Sequence, residues 1–492
     1  MPLLLGLDVG TTGARAVAVD EAGRMRASAS AEYPLHTPRP GWAEQDPADW
    51  WAGARSALRR VAASVGGDVA GLGLTGQMHG SVFLDASGAV IRPALLWNDQ
   101  RTAAQCARIT ELVGAERLIE LAGNPALTGF QAPKVLWLRD EEPEAYARVA
   151  QVLLPKDYVR LLLTGERATD VSDASGTLLL DVRRRDWAEP ILDALEIPRA
   201  WLPRVCEGPD VTGRLSASVA AELGLPAGLP VAAGGGDNAA AAVGTGIVRG
   251  GLVSCSIGTS GVVFAHSDAF APDPSGRIHA FCHAVPGRYH LMGVTLSAGG
   301  SLRWWRDVVG SSYDDLAAEA AGVPAGAEGL LFLPYLTGER TPHMDPAARG
   351  AFFGLTARHS RAHLTRALME GVVFSLRDSL EIMRGLGVAP DEVVATGGGA
   401  RGRLWRELQA DVLGVPVVRT AAEEGPAYGA ALLGGVAAGT FENVADACAR
   451  VELLPERTEP DPARGRVYDE AYARYRELYP ATAALAHRLS AM

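Results

Sequence analysis

"LLLGLDVGTTGARAVAVD", residues 3–20, has the pattern of a buried strand, a tight turn and a second strand. Its glycines allow a sharp turn with positive φ, and Thr11 and Thr12 add hydroxyl groups to the backbone N–H donors of that turn. Donors that converge on one point suit an anion, and phosphate is the common one. A single copy of this pattern fits an ordinary glycine-containing hairpin as well as it fits a phosphate-binding turn.

The same pattern recurs in the second half of the chain. "LVSCSIGTSGVVFAHS", residues 252–267, again predicts a strand, a glycine turn and a strand, with Thr259 and Ser260 at the tip. Nearly half the chain separates the two copies, which indicates an ancient duplication. Two copies with hydroxyl groups at their tips favour a pair of phosphate-binding turns over two unrelated hairpins.

The remaining pattern alternates between strands and helices. Mixed elements in two similar halves predict α/β or α+β layering, with a boundary near residues 243–251. The predicted elements are a helix over 46–65 with Asp46 as its cap, a buried strand over 69–76, helices over 360–384, 424–438 and 466–490, and a strand, glycine turn and helix over 391–414.

Composition limits the partners. The chain has 492 residues and a net charge of −11, which argues against nucleic acid or an anionic membrane as the main partner. The first ten residues lack a basic region and contain Asp8, and the apolar stretch 231–248 is broken by Asp237 and glycines. Neither a signal peptide nor a membrane-spanning helix is therefore expected, and a cytoplasmic location is predicted.

Several familiar chemistries are missing from the sequence. The five cysteines form no C-x-x-C pair and no H-E-x-x-H occurs, so neither a disulfide framework nor a zinc site is indicated. The two lysines, Lys134 and Lys156, each follow a proline, so no Walker A sequence can be written. A nucleotide would have to be bound by another architecture.

Two further glycine turns precede predicted helices. "GGGDNAAAAVG", residues 234–244, places Asp237 and Asn238 at the start of an alanine-rich helix, where helix capping is the ordinary role of such side chains. "TGGGARGR", residues 396–403, does not meet the G-x-G-x-x-G pattern. Its residues alone are equally compatible with a nucleotide contact, near Arg401 or Arg403, and with plain packing.

Taken in order, the motifs of the chain resemble those of the FGGY carbohydrate kinases, a family within the actin-like ATPase-domain superfamily. The resemblance runs over essentially all of the chain, and its strength lies in the order and spacing of the motifs. These are "GLDVGTTGARA" (6–16), "WAEQDPADWW" (42–51), "GLTGQMHG" (73–80), "LLWNDQRT" (95–102), "LLPKDYVRLLLTGE" (153–166), "GGGDNAAAAVG" (234–244), "SIGTSGVVFA" (256–265), "FLPYLTGERTPH" (332–343) and "GGGARGRLWRELQADVLG" (397–414).

The resemblance implies an α/β fold of two actin-like (ribonuclease H-like) domains, internally duplicated, with a catalytic cleft between them. Residues 1–245 would carry the sugar site, the first phosphate loop and the catalytic base. Residues 246–492 would carry the second phosphate loop and the adenine-side site.

The resemblance also implies roles for individual residues. Asp237 would be the general base, with capping secondary, and Asp8 would sit beside Mg²⁺ as the second catalytic residue. The ATP-binding residues would be Thr11, Thr12, Arg15, Thr259, Ser260, Gly299, Gly300, Gly398, Gly399 and Arg403. Related kinases carry asparagine where Arg403 falls and glutamine where Arg303 falls, so the adenine contacts of these two side chains are left open.

The implied substrate is a small sugar. Met78, His79, Trp97, Asp237 and Asn238 match substrate-side positions, and "GQMHG" is the form found in family members that act on D-xylulose. The expected reaction is transfer of a phosphoryl group from ATP to D-xylulose, giving D-xylulose 5-phosphate. Ribulose or glycerol is the alternative substrate, and a filament-forming or chaperone-like ATPase is the alternative class. No nucleic acid or membrane partner is expected, and a homodimer is one possible assembly.

Overall fold

The structure is a computed structural model that describes residues 2–66, 68–421 and 425–490. Two mixed β-sheets, with helices packed against them, form its framework. The strands are Leu3–Val9 (β1), Gly13–Val19 (β2), Met25–Glu32 (β3), Glu44–Gln45 (β4), Val69–Gly76 (β5), Val82–Leu84 (β6), Ala94–Leu95 (β7), Gln151–Leu153 (β8), Ala168–Asp170 (β9), Leu180–Asp181 (β10), Asp186–Trp187 (β11), Arg204–Cys206 (β12), Val211–Arg214 (β13), Pro230–Ala232 (β14), Gly235–Gly236 (β15), Leu252–Ile257 (β16), Gly261–Ser267 (β17), His279–Cys282 (β18), Tyr289–Thr295 (β19), Leu331–Leu333 (β20), Ala351–Phe353 (β21), Glu392–Thr396 (β22) and Val417–Val418 (β23).

The α-helices are Pro47–Val65 (α1), Ala103–Val113 (α2), Ala115–Ala122 (α3), Gln131–Glu141 (α4), Pro143–Tyr146 (α5), Pro155–Thr164 (α6), Val171–Ser175 (α7), Glu189–Leu195 (α8), Ala217–Leu223 (α9), Asp237–Gly244 (α10), Gly299–Val309 (α11), Tyr313–Ala321 (α12), Arg361–Gly385 (α13), Arg403–Leu413 (α14), Gly425–Ala437 (α15), Val444–Cys448 (α16) and Pro462–Ser490 (α17). None of the helices that the structure describes is long and apolar enough to cross a membrane.

The two main sheets share one topology. In the first, the order β3-β2-β1-β5-β14 has antiparallel pairs up to β1 and parallel pairs beyond it. In the second, β19-β17-β16-β22-β23 repeats both the order and the directions. The predicted duplication within an α/β fold is thereby confirmed.

The predicted elements lie close to where the sequence places them. Both glycine hairpins are present, β1–β2 and β16–β17. Helix α1 begins at Pro47, and the Asp46 side chain accepts a hydrogen bond of 2.9 Å from the backbone N–H of Ala48. The predicted helix over 424–438 begins at Gly425 in the structure, and residue 424 lies outside the described residues.

Helix α15 comes late in the chain but packs on the first sheet. It lies against β1 and β5 and crosses α10. Glycines make this approach possible: a Cβ atom on Gly6 would meet the Ala427 carbonyl oxygen at 1.9 Å, and one on Gly429 would meet the Ala240 carbonyl oxygen at 1.8 Å. The backbone of α15 is therefore in contact with the backbones of β1 and α10. The predicted division of the chain into residues 1–245 and 246–492 stays a proposal.

Candidate active site

Two neighbouring cavities share a wall made by Asp237 and Asn238. The smaller one, of about 270 Å³, is here called the small cavity. The other, of about 570 Å³, is called the glycine-loop cavity because residues 395–398 and Ala400 line it. A group held in one cavity can therefore reach a group held in the other beside the Asp237 carboxylate.

Asp237 is the first residue of α10 and is partly buried. Its Oδ1 accepts hydrogen bonds from the backbone N–H and the side-chain amide of Asn238, at 2.7 and 2.8 Å. Its Oδ2 has no hydrogen-bond partner among the described residues. Burial raises the pKa of Asp237 to about 6, against the opposing effect of the two Asn238 hydrogen bonds. One oxygen thus satisfies one backbone N–H of the first helical turn, and the other is available to accept a proton.

The backbone before Asp237 is held tightly against β5. Gly234 has φ +82°, and a Cβ atom there would lie 1.7 Å from the Leu74 carbonyl oxygen, so only glycine fits. A Cβ atom on Gly236 would meet the Met78 side chain at 2.9 Å. The glycines of this motif therefore bring Asp237 and Met78 together on the wall of the small cavity.

His79 is held in a strained conformation in the small cavity. It adopts φ +69°, which a residue with a side chain rarely does, and its Nδ1 lies 2.6 Å from the Gly176 carbonyl oxygen. Because a carbonyl oxygen only accepts, Nδ1 carries the proton and Nε2 is left as an acceptor. Burial is the main cause that lowers the pKa of His79 to about 3, so the ring is neutral near pH 7.

Trp97 connects the small cavity to the first glycine hairpin. Its indole N–H donates a hydrogen bond of 3.0 Å to Oγ1 of Thr11. The ring is 40% exposed and lines the small cavity. All five predicted substrate-side residues, Met78, His79, Trp97, Asp237 and Asn238, therefore lie around one cavity.

Seven side chains of the small cavity were not predicted as site residues. They are Leu127, Phe130, Val262, His279, Met292, Val294 and Arg340. The sequence signal for Arg340 was present, because it lies within "FLPYLTGERTPH", but no role was inferred for it. Neither local pattern nor spacing indicates that the second sheet brings His279 and Met292 to face Asp237.

The predicted ATP-binding residues lie around the cavities to different extents. Arg15 and Gly398 line the glycine-loop cavity, and Ser260 lines the small cavity. Thr12 lines a third cavity of about 290 Å³, together with Arg15 and Asp8. Thr11 accepts a hydrogen bond from the indole N–H of Trp97, as described above.

The other predicted glycines support the second hairpin. The N–H groups of Gly299 and Gly300 donate to the carbonyl oxygens of Gly258 and Thr259, at 2.8 and 3.0 Å. Gly399 is packed so closely on Ile257 that a Cβ atom would lie 2.6 Å from its side chain. These residues shape the turn between β16 and β17 and bring α11 against it.

The two arginines left open by the sequence lie elsewhere. Arg403 is not among the described residues that line these cavities; its guanidinium pairs with Glu407 at 2.8 Å and its side chain is 85% exposed. Arg303 is exposed on α11. Arg401 lines the glycine-loop cavity instead.

The sequence assigns Asp8 to a magnesium ion, and that role stays a proposal. It lies on β1 opposite Arg15 of β2 and lines the third cavity next to the first hairpin. The described residues contain no group of three or more acidic, histidine or cysteine side chains that could hold a metal. A lone carboxylate fits Mg²⁺, which is commonly held by one or two carboxylates, waters and substrate phosphates.

Known proteins match this chain along nearly its whole length. The N-terminal domain of the FGGY family of carbohydrate kinases matches residues 3–244, and the C-terminal domain of that family matches residues 253–438. The xylulose kinase of Escherichia coli (strain K12) is 43% identical over 485 residues, covering 97% of this chain and 98% of that protein. The xylulose kinase of Lactococcus lactis subsp. lactis (strain IL1403) is 41% identical over 496 residues, covering 99% of each. The crystal structure of xylulose kinase from Rhodospirillum rubrum superposes with a TM-score of 0.93 at 35% identity, covering 99% of this chain and all of that one.

Proposed function

The chain belongs to the FGGY family of carbohydrate kinases, and on that premise we propose that it transfers the γ-phosphoryl group of ATP to D-xylulose, with Asp237 as the general base. The motif resemblance found in the sequence is confirmed by both family domains. The chain is thus a sugar kinase that uses ATP. The two relatives described above, which it matches over nearly their full length, are named xylulose kinase.

The observation that carries the proposed mechanism is the position of Asp237 on both cavities. Phosphoryl transfer requires a sugar hydroxyl on one side of the base and the γ-phosphate on the other. The small cavity provides neutral acceptors and apolar surface for a polyol. The glycine-loop cavity provides backbone N–H groups and arginines for a nucleotide.

The free oxygen of Asp237 accepts the proton of the attacking hydroxyl as the phosphoryl group arrives. A pKa of about 6 leaves the carboxylate mostly ionised at neutral pH and still basic enough to take a proton. Its other oxygen stays bonded to Asn238, which holds the carboxylate in place during the transfer.

The two hairpins supply donors to the phosphates. Thr11, Thr12 and Arg15 come from the first hairpin, and Thr259 and Ser260 come from the second. Their placement on equivalent turns of the two sheets supports a nucleotide held between the halves. Asp8 would hold Mg²⁺, which neutralises charge on the phosphates when bound.

The test is a panel of sugars in a coupled assay of ADP release. D-xylulose should give a far higher kcat/KM than L-ribulose or glycerol, because a hydrogen-bonding site rejects analogues that leave its groups unpaired. An equal kcat/KM for glycerol would overturn the assignment of D-xylulose as the substrate. ATP hydrolysis that no sugar stimulates would overturn the sugar-kinase reaction itself.

Other parts of the prediction stay as proposals. A homodimer and a cytoplasmic location are both compatible with an ATP-dependent sugar kinase. Sedimentation of the purified protein would measure the first, and fractionation of cells would measure the second.

A further inference from the structure

We infer that Arg340 is a specificity-determining residue that binds the carbonyl oxygen of the ketose in the small cavity. The inference rests on the proposed function, because it concerns the sugar of that same reaction. Arg340 is contributed by the second half of the chain and lines the same cavity as Met78 and His79. It therefore adds a substrate contact that the first half of the chain does not contain.

The backbone around Arg340 is fixed on both sides. Oε1 of Glu339 accepts hydrogen bonds from the backbone N–H groups of Leu296 and Arg340, at 2.9 and 2.7 Å. On the other side, Thr341 bonds to Val294 twice, through its backbone N–H at 3.0 Å and its hydroxyl at 3.1 Å. Since Val294 itself lines the cavity, Arg340 is placed by the cavity wall.

Across residues 2–66, 68–421 and 425–490, the guanidinium of Arg340 forms no hydrogen bond or ion pair with a side chain or a carbonyl group. The adjacent Glu339 is buried and committed to two backbone N–H groups, and burial raises its pKa to about 8. Arg340 is half-buried and lines the cavity, so its guanidinium donors are available to an acceptor group on a ligand.

The neighbouring histidines offer acceptors and leave the donor role to Arg340. In His279, Nδ1 lies 2.6 Å from Oδ1 of Asn124, whose amide nitrogen donates to backbone carbonyls, so Nδ1 carries the proton. His79 is protonated on Nδ1 in the same way. Burial lowers the pKa of both rings, and the Arg340 charge lowers them further, so both stay neutral.

The donors and acceptors of the cavity distinguish a ketose from a polyol. A sugar hydroxyl can either donate or accept, so it can bond to His79, His279 or Asp237. A carbonyl oxygen only accepts, and it requires a donor. The indole N–H of Trp97 is already bonded to Thr11, whereas Arg340 is a donor that cannot also accept. The carbonyl of D-xylulose is the group that matches it.

The experiment compares Arg340→Met with Arg340→Lys, and uses Arg117→Met on the exposed face of α3 as the matched control. Calorimetry without ATP would measure the Kd for D-xylulose and for xylitol, which has a hydroxyl in place of the carbonyl. Steady-state assays would give KM for D-xylulose and for ATP. Thermal melting would establish that each variant is folded.

Arg340→Met should weaken D-xylulose binding by about 10-fold to 100-fold, as expected for a lost hydrogen bond to a charged group. The loss should be smaller for xylitol, KM for ATP should change less than about twofold, and Arg340→Lys should restore part of the binding. Arg117→Met should change none of these values.

A folded Arg340→Met protein with an unchanged Kd for D-xylulose would overturn the inference alone, as would an equal loss for D-xylulose and xylitol. If Arg340→Met does not fold, Arg340→Lys decides. A wild-type ratio of xylulose to xylitol affinity together with a wild-type KM for D-xylulose would overturn the inference. A reduced ratio would support the inference. A wild-type protein that does not phosphorylate D-xylulose would overturn the proposed function and this inference with it.

Discussion

The backbone N–H of Gly236 donates a hydrogen bond of 3.1 Å to Oγ of Ser172. Ser172 in turn donates to Oδ2 of Asp170, whose other oxygen lies 2.9 Å from Nζ of Lys156. All three side chains are buried. Because Gly236 immediately precedes Asp237, this series of contacts ties the start of α10 to a buried ion pair.

Ser172→Ala should reduce kcat by about 3-fold to 30-fold while KM for ATP stays near the wild-type value. The variant leaves the Gly236 N–H without its partner and removes one of the hydrogen bonds to the Asp170 carboxylate, and a small displacement of a catalytic group is costly. Steady-state kinetics measures both constants. Ser64→Ala, which removes an Oγ bonded to the Val61 carbonyl on α1, is the control. Equal kcat values for Ser172→Ala and Ser64→Ala would contradict a positioning role.

Asp237→Asn should reduce turnover by about 10²-fold to 10⁴-fold, the usual effect of losing a general base. The amide keeps the shape of the side chain and cannot accept the proton. Because burial disfavours the ionised form, the variant should melt at or above the wild-type temperature near pH 7. Retention of more than about a tenth of wild-type turnover would rule out the proposed base.

The kcat/KM for the sugar should rise with pH through about 6 and level off above it. Burial raises the pKa of Asp237 to about 6, and only the ionised carboxylate accepts a proton. Below that value the rate should fall about tenfold for each pH unit, as expected for one essential base. The residual activity of Asp237→Asn should lack this inflection. A wild-type profile that stays flat between pH 5 and 7 would assign the base to another group.

His79→Ala should raise KM for D-xylulose by about tenfold or more and leave KM for ATP nearly unchanged. The variant removes a neutral acceptor from the small cavity and does not touch the glycine-loop cavity. His36→Ala, on an exposed segment, is the matched control. A parallel loss of sugar and ATP affinity would indicate a structural role for His79.

Gly429→Ala should lower the free energy of unfolding by at least about 2 kcal/mol. The new Cβ atom would lie 1.8 Å from the Ala240 carbonyl oxygen, so α15 and α10 would have to separate. Gly385→Ala is the control, because a Cβ atom there meets open space at the end of α13, and it should change stability by less than about 1 kcal/mol. Denaturant unfolding measures both, and equal stabilities would contradict a close-packed crossing.

Much of the fold could be predicted because its signals are local. The hairpins at 3–20 and 252–267 carry glycines and buried strands that specify a turn whatever surrounds them. Repetition of that signal indicated the duplication, and the order of strands in both sheets agrees with it. Helix α1 was predictable from Asp46 and Pro47 for the same reason.

The site was predictable only in part, because most of its walls meet through tertiary structure. Met78, His79 and Asp237 were identified through motif resemblance, and residue pattern alone favoured capping for Asp237. His279 and Arg340 come from separate segments of the second half, and no spacing in the sequence relates them to Asp237. Their contribution depends on how the two sheets face each other.

The contact of α15 with β1 and β5 has a consequence for synthesis on the ribosome. The strands that open the chain are covered on this face by a helix that ends at residue 437. Leu4, Val17 and Val19 share their buried cluster with Ala427, Tyr428 and Leu432. The nascent first half must therefore wait, with this surface exposed, until more than four hundred residues have been translated. Until α15 arrives, this is exposed apolar surface, which makes an incompletely folded chain prone to aggregation.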